Sequence, residues 1–449
     1  MGATCGVVSD GCSDVLDCGT CPDGETCDSV GGTTRCIADG GTAADGGLDA
    51  PAEAEADATT EASTFVVGSP PGAVSRWLVE HTDPAVVVRP DFFGLHVERN
   101  TGWPSYQAVP LPTFDYGLTR SHDHNGATSA LEVDLQWARI EKSPGQFDWS
   151  GVDAWISDTV GKTRVFTLFG TPTFYQKYPD EAWRYPYLPG GGSPPAEMSK
   201  VAEFVTQLLN HRPGEIHYIE VWSAPNFYYA PDTSVTRWDS AVTSAEGGNT
   251  PFFSGTPQDL AQMARAIRNV LPSGVFLMAG GWEGQQASST VNSMGRFSLA
   301  SDGAGGTGRS TVQAFSFHHA FYNNDPNSLL GAIDGYRERL SEYGYPPTIE
   351  FHCSEIGHAE PTPATSLSDA DVIRNIKRAT YLAAAMRVAT VAWYRYSSET
   401  ALKAPYTNAS VRAGLAVAAA VAGRTIRQAA VLQNGSVWLR LSTNDDLLE

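Results

Sequence analysis

The sequence predicts an α/β chain whose main body is a closed barrel of eight strand–helix units, preceded by a small disulfide-rich module and followed by a partial β segment. Three observations predict it. Eight short β-rich runs alternate with helix-like stretches between residues 92 and 396. Six of the seven cysteines fall within the first 36 residues. Residues 423–449 read as two strands around Asn434-Gly435.

The eight strand candidates are 92–97, 116–121, 163–170, 216–222, 275–280, 314–321, 348–357 and 388–396. Between them, segments such as 198–212 and 257–271 repeat apolar residues at three- and four-residue steps, the period of a helix with one buried face. Eight strands separated by helices is the count of a (β/α)8 TIM barrel, which needs at least about 250 residues; the chain has 449. A doubly wound sheet is the rival. It does not normally need eight strands, and no G-x-G-x-x-G follows the first one.

Composition narrows the function classes. Net charge is −20, which argues against nucleic acid or an anionic membrane as partner. The charge is uneven: residues 1–64 carry thirteen acids and one base, Arg35, so the rest of the chain is only mildly acidic. No apolar stretch is long enough to span a membrane.

Residues 1–38 hold Cys5, Cys12, Cys18, Cys21, Cys27 and Cys36. An even set in a Gly/Asp-rich segment without His reads as a disulfide knot, zinc on Cys18 and Cys21 being the alternative; six cysteines allow 15 pairings. Disulfides imply an oxidising compartment, so the chain is expected to be secreted or held at the cell surface, with its signal peptide absent from this sequence. Residues 39–64, rich in Ala, Gly, Asp and Glu, read as an acidic disordered linker. The catalytic barrel is assigned to 66–422, and the segment 423–449 reads as the start of a β accessory module. The cysteine run resembles short modules of exported myxobacterial proteins.

Active sites of such barrels are assembled at the C-terminal ends of the strands. Strand seven ends Cys353-Ser354-Glu355-Ile356-Gly357, where a carboxylate suits attack on an anomeric carbon, unless it is simply paired with an Arg. Strand four ends Glu220-Val221-Trp222-Ser223-Ala224-Pro225-Asn226. That run resembles the W-N-E-P-N signature of clan A glycoside hydrolases, with family 39 or a relative closest, and the likeness in order of elements covers most of residues 85–422. The resemblance implies that Glu355 is the nucleophile of a retaining glycosidase acting on a polysaccharide or oligosaccharide. It further implies that Arg120 hydrogen-bonds that nucleophile and that His318 or His319, with Tyr322, borders it; His122, after Arg120 and Ser121, is expected to bind substrate. Trp222, Ser223, Ala224 and Asn226 then line the sugar site, with Trp393 as the aromatic platform. His318 and His319 are adjacent on a strand and face opposite ways, so only one points into the site. No cofactor and no metal are expected: His318, His319, His352 and His358 lack a ligand spacing. By alternation Cys353 shares a face with Glu355 and reads as a small buried wall residue.

One departure decides the mechanism. Ser223 and Ala224 stand where the signature has the sugar-binding Asn and the acid/base Glu. Ala has no proton to give, and loss of acid–base help slows turnover by roughly 10²–10⁴-fold. Three readings stay open: an enzyme whose acid/base has moved, a carbohydrate-binding pseudoenzyme, or an engineered inactive variant. For a moved acid/base, Glu283 after strand five is the first candidate, with a solvated loop Glu as its alternative, and Asp123 after strand two is the second.

Overall fold

The computed structural model describes residues 70–80, 84–99, 108–122, 135–179, 192–226, 252–283, 287–321, 324–359, 363–443 and 445–449, together with the backbone of four short strands between residues 7 and 38. The chain divides into two units, Met1–Val66 and Val67–Glu449.

In the first unit, Val7–Ser9 pairs antiparallel with Val15–Asp17, and Glu25–Val30 with Thr33–Ala38; Cys27 and Cys36 are register partners in the second pair. The pairing of the six cysteines and the expected linker at 39–64 lie outside the described residues.

The second unit is built on eight parallel strands that close on themselves. They are β1 (Phe93–Leu95), β2 (Leu118–Arg120), β3 (Thr163–Leu168), β4 (Tyr218–Val221), β5 (Phe276–Trp282), β6 (Ala314–Phe321), β7 (Glu350–His358) and β8 (Val391–Trp393). Each lies within or across one of the eight expected runs, and closure excludes the doubly wound sheet. Inside the barrel, Leu118, Val165, Tyr218, Met278, Ala314 and Ala392 form a separate apolar layer beneath the polar strand ends.

The helices cover the outside. Met198–His211 buries Val201, Phe204, Val205 and Leu208, one face at helical spacing. Pro257–Arg268 starts with Pro at its first turn and a capping box: Asp259 N donates to Thr256 Oγ1 at 3.0 Å and Thr256 N to Asp259 Oδ2 at 2.9 Å. Among the described residues, no helix separates β1 from β2.

The tail forms the expected strand pair, Thr425–Leu432 with Val437–Leu441. It belongs to a five-stranded sheet with Asp446–Leu448 and, from the beginning of this unit, Val74–Val79 and Val86–Val87. Gly435 adopts φ +79° at the turn, the left-handed region that Gly enters without penalty. Among the described residues, no helix is long and apolar enough to cross a membrane.

Candidate active site

Two β-bulges build the site. On β5, Ala279 pairs with Phe315 and Trp282 with Phe317, so three steps on β5 match two on β6. On β7, Cys353 pairs with Phe317 and Glu355 with His318, leaving Ser354 as an extra residue. A bulge breaks the alternation of faces and re-aims the side chains beyond it. Cys353 therefore lies in the outer core with Phe317, while Glu355 turns inward beside His318. The expectation that Cys353 and Glu355 share a face is corrected on this ground. Glu283, just past the β5 bulge, is likewise brought to the inner face. His96 Nε2–H donates to the carbonyl of the extra residue Ser354 at 2.9 Å.

Arg120, at the end of β2, is a hub that joins Glu220 to Glu355. Its Nε and Nη2 reach Glu220 Oε2 at 2.8 and 2.7 Å, its Nη2 donates to Ser223 Oγ at 2.9 Å, and its Nη1 donates to Glu355 Oε2 at 3.1 Å. Glu220 is fully buried and has four donor atoms: Arg120 Nε and Nη2 and Thr167 Oγ1 (2.8 Å) on Oε2, and Ser316 Oγ (2.8 Å) on Oε1. Burial pushes its carboxyl up, but Arg120, His318, Thr167 and Ser316 overcome that and hold it at about 2. Glu220 is thus a fixed anion that locks Arg120.

Above that hub, His318 links two carboxylates. Its Nδ1 lies 2.8 Å from Glu283 Oε1 and 3.9 Å from Glu355 Oε2, and one ligand-type atom from each of the three falls within 4.8 Å of the others. Burial disfavours the imidazolium, yet the charges of Glu355 and Glu283 raise the His318 pKa above its ordinary value. Burial raises Glu355, and Glu283 adds to this, while His318 and Arg120 pull it down; the net direction is up. Gly281 makes room for the ring, since a Cβ there would lie 1.9 Å from His318 Nε2. Asn226 clasps the backbone of Glu283: Glu283 N donates to Asn226 Oδ1 at 2.9 Å, and Asn226 Nδ2 donates to Glu283 O.

His96, His122 and Glu355 form a second group with donor atoms within 4.8 Å of one another. His122 is buried, its ring 5.0 Å from that of Phe169. Either triad offers a cation nitrogen and oxygen donors, but both depend on Glu355, which already carries the Arg120 guanidinium. A divalent ion there would sit against that positive charge.

Several expected site residues lie elsewhere. His319 points away from the barrel lumen, its Nε2 3.0 Å from Ser328 Oγ, and burial lowers its pKa to about 4; His318 is the inward member of the pair. Trp393 is wholly buried on the outer face, 6.1 Å from the Phe321 ring. Its neighbour Tyr394 takes the inner side, its ring 5.2 Å from that of His96. Trp222 is also core, buried against Phe253 with its indole N–H on the Phe252 carbonyl. Tyr322 and Asp123 lie outside the described residues. Trp222 and Ala224 adopt φ of 69° and 45°, so the end of β4 holds two non-Gly residues in the left-handed region, of the kind that clusters at functional sites.

The sequence reading passed over His96, Glu98, Gly281 and Tyr394. Glu98 is buried, pairs with Arg395 at 2.9 Å and accepts from Ser397 N at 3.1 Å, tying the end of β1 to the turn after β8. The strand-end rule would have found His96 and Glu98, because both continue β1 at the inward alternation.

No protein-family model matches the chain, and no curated protein matches it. Solved structures do. A glucosidase from Croceicoccus marinus superposes with a TM-score of 0.50 at 14% identity, covering 81% of this chain and 77% of that one. This likeness is one of fold. The fold is a (β/α)8 barrel. A GH30 endoxylanase from Clostridium papyrosolvens aligns with a TM-score of 0.45 at 11% identity, over 82% of this chain and 77% of that one.

Proposed function

We propose that the chain is a retaining glycoside hydrolase of the clan A type, in which Glu355 is the nucleophile and Glu283 replaces the missing β4 acid/base. The observation that carries this is the meeting of Glu283 and Glu355 at one end of the barrel, with oxygens within 4.8 Å and His318 between them. Retaining enzymes hold their two carboxyl groups about 5–5.5 Å apart, whereas inverting ones need about 6.5–9.5 Å to admit a water. The neighbour of like fold is named a glucosidase, in keeping with a sugar substrate.

The chemistry follows from the two positions. The Glu355 carboxylate attacks the anomeric carbon as the glycosidic C–O bond breaks. Glu283 gives a proton to the leaving oxygen, and a glycosyl ester forms on Glu355. Glu283, now a carboxylate, takes a proton from water, whose oxygen attacks the anomeric carbon and frees Glu355. Arg120 supports the carboxylate form of Glu355 at the start and end of the cycle, and His318 balances the charge as the proton leaves Glu283 and returns. Six cysteines in the first unit fit export, so the substrate is an extracellular polysaccharide or oligosaccharide.

A second reading is a sugar-binding protein without turnover. It is favoured by Ala224, which keeps the left-handed turn and contributes no acid, and by Ser223, engaged by Arg120. Trapping with a 2-fluoro glycoside separates the two. Mass spectrometry of the digest is expected to find the sugar on Glu355. A label on another residue sinks the assignment, and sugar binding without any label favours the second reading.

A further inference from the structure

The opposite end of the barrel carries a second feature, made of Arg337 on the helix Ser328–Glu342, Arg387 in the link before β8, and Trp77 with Arg76 on the strand Val74–Val79. Two adjoining cavities, of about 390 and 500 Å³, share Arg337 and Arg387 as walls. Arg337 Nη2 donates to Arg387 O at 3.0 Å, and its guanidinium lies 5.4 Å from the Phe351 ring centroid. Arg387 Nη2 donates to Pro84 O at 3.2 Å. Among the described residues the one carboxylate engaged there is Asp334, held by Arg76 at 2.5 Å.

Among the described residues, three guanidinium groups therefore meet one carboxylate. Among the described residues neither Arg337 nor Arg387 makes an ion pair, and each keeps most of its five N–H donors beyond the single backbone carbonyl it binds. Two arginines held side by side repel each other, and burial adds to the cost of the Arg337 charge. In a chain of net charge −20, such a concentration of uncompensated positive charge is a local exception that an anion would relieve. Beside it, Trp77 is 40% exposed and packs edge-to-face with Trp438, ring centroids 6.5 Å apart. An indole in that position offers an apolar surface to a sugar ring.

We propose that this groove binds an anionic saccharide, a sugar chain bearing carboxylate or sulfate groups, with the Arg337 and Arg387 forks on the anions and Trp77 against a ring. Guanidinium forks match both groups with paired hydrogen bonds. The groove lies at the N-terminal ends of β7 and β8, away from Glu355. It serves to hold the protein on a charged polymer and does not depend on the glycosidase reading.

The test is calorimetric titration of the full chain with an oligogalacturonide, a sulfated oligosaccharide, a neutral oligosaccharide of equal length and sodium sulfate. At least one charged oligosaccharide is expected to bind more tightly than the neutral one, and which of the two binds names the anion. Arg337→Gln with Arg387→Gln is expected to weaken that binding by at least about tenfold, and Trp77→Ala by about threefold or more. Rising salt is expected to weaken it further. Should the double change impair folding, Arg337→Lys with Arg387→Lys keeps the charge, loses the fork, and is expected to weaken binding by a smaller factor. Affinity unaltered by any of these changes, or sodium sulfate binding as tightly as the oligosaccharides with Trp77→Ala silent, overturns the proposal. Labelling of Glu355 is unaffected by either outcome.

Discussion

Glu220→Gln tests the charge hub beneath the site. Gln can keep the geometry: its carbonyl oxygen faces Arg120 and Thr167, and its amide donates to Ser316 Oγ, whose own hydroxyl lies 2.7 Å from Ala279 O. What the change removes is the negative charge. Its value follows from the depressed pKa. A carboxyl held at about 2 instead of its ordinary 4.5 contributes about 3 kcal/mol to stability. That agrees with the roughly 3–5 kcal/mol lost when one partner of a buried ion pair is removed. Because the folded pKa is depressed, the contribution is fully present above pH 4.5 and is lost as pH falls towards 2. Urea unfolding of wild type and Glu220→Gln at pH 7, 5 and 3.5 reads the difference. The gap is expected to be about 3 kcal/mol at pH 7 and to shrink at pH 3.5. A gap below about 1 kcal/mol at pH 7, or one unchanged between pH 7 and 3.5, refutes the view that Glu220 is a charged anchor for Arg120.

Further outcomes follow from the same geometry. Gly281→Ala places a Cβ where His318 Nε2 lies, so it should displace the ring and cut kcat by about tenfold or more while leaving urea stability within about 2 kcal/mol, as steady-state kinetics and unfolding will show. Asn226→Ala removes the clasp on the Glu283 backbone; kcat should fall about tenfold with KM nearly constant, whereas a large rise in KM alone would make Asn226 a sugar ligand instead. His319 and His358 are buried and lowered to about 4, so the unfolded chain takes up their protons first, and stability should decline as pH falls from 6.5 to 4 even in Glu220→Gln. A stability profile flat across that window would contradict their buried, neutral state.

Much of the barrel was legible because each strand carries its own signal. On β6 simple alternation holds, so Ser316 and His318 face in while Phe315 and Phe317 face the helices. Alternation failed on β5 and β7 for a physical reason: one extra residue in each leaves the hydrophobic pattern almost intact while turning Glu283 and Glu355 inward. At the end of β8 Trp393, expected to face the site, is the larger apolar group and takes the core, leaving Tyr394 for the lumen. The strand Val74–Val79 escaped notice because its partner Thr425–Leu432 lies some 350 residues away, and no local pattern announces such a pairing. Ala224 was readable at once as a departure from the resembled motif, but the proposed replacement rests on how β4, β5 and β6 come together, which Asn226, Glu283 and His318 express only in the folded chain.

The most direct measurement compares wild type, Glu283→Gln and the double change Ser223→Asn with Ala224→Glu, each assayed on an unactivated oligosaccharide and on an aryl glycoside with a good leaving group. An acid/base on β5 predicts that Glu283→Gln lowers kcat on the unactivated substrate by roughly 10²–10⁴-fold. It also predicts a smaller loss of glycosylation rate on the aryl glycoside, recovery of turnover by azide as the glycosyl azide, and no gain from the double change. Full activity in Glu283→Gln, together with a gain in the double change, would contradict a displaced acid/base and return that role to the end of β4.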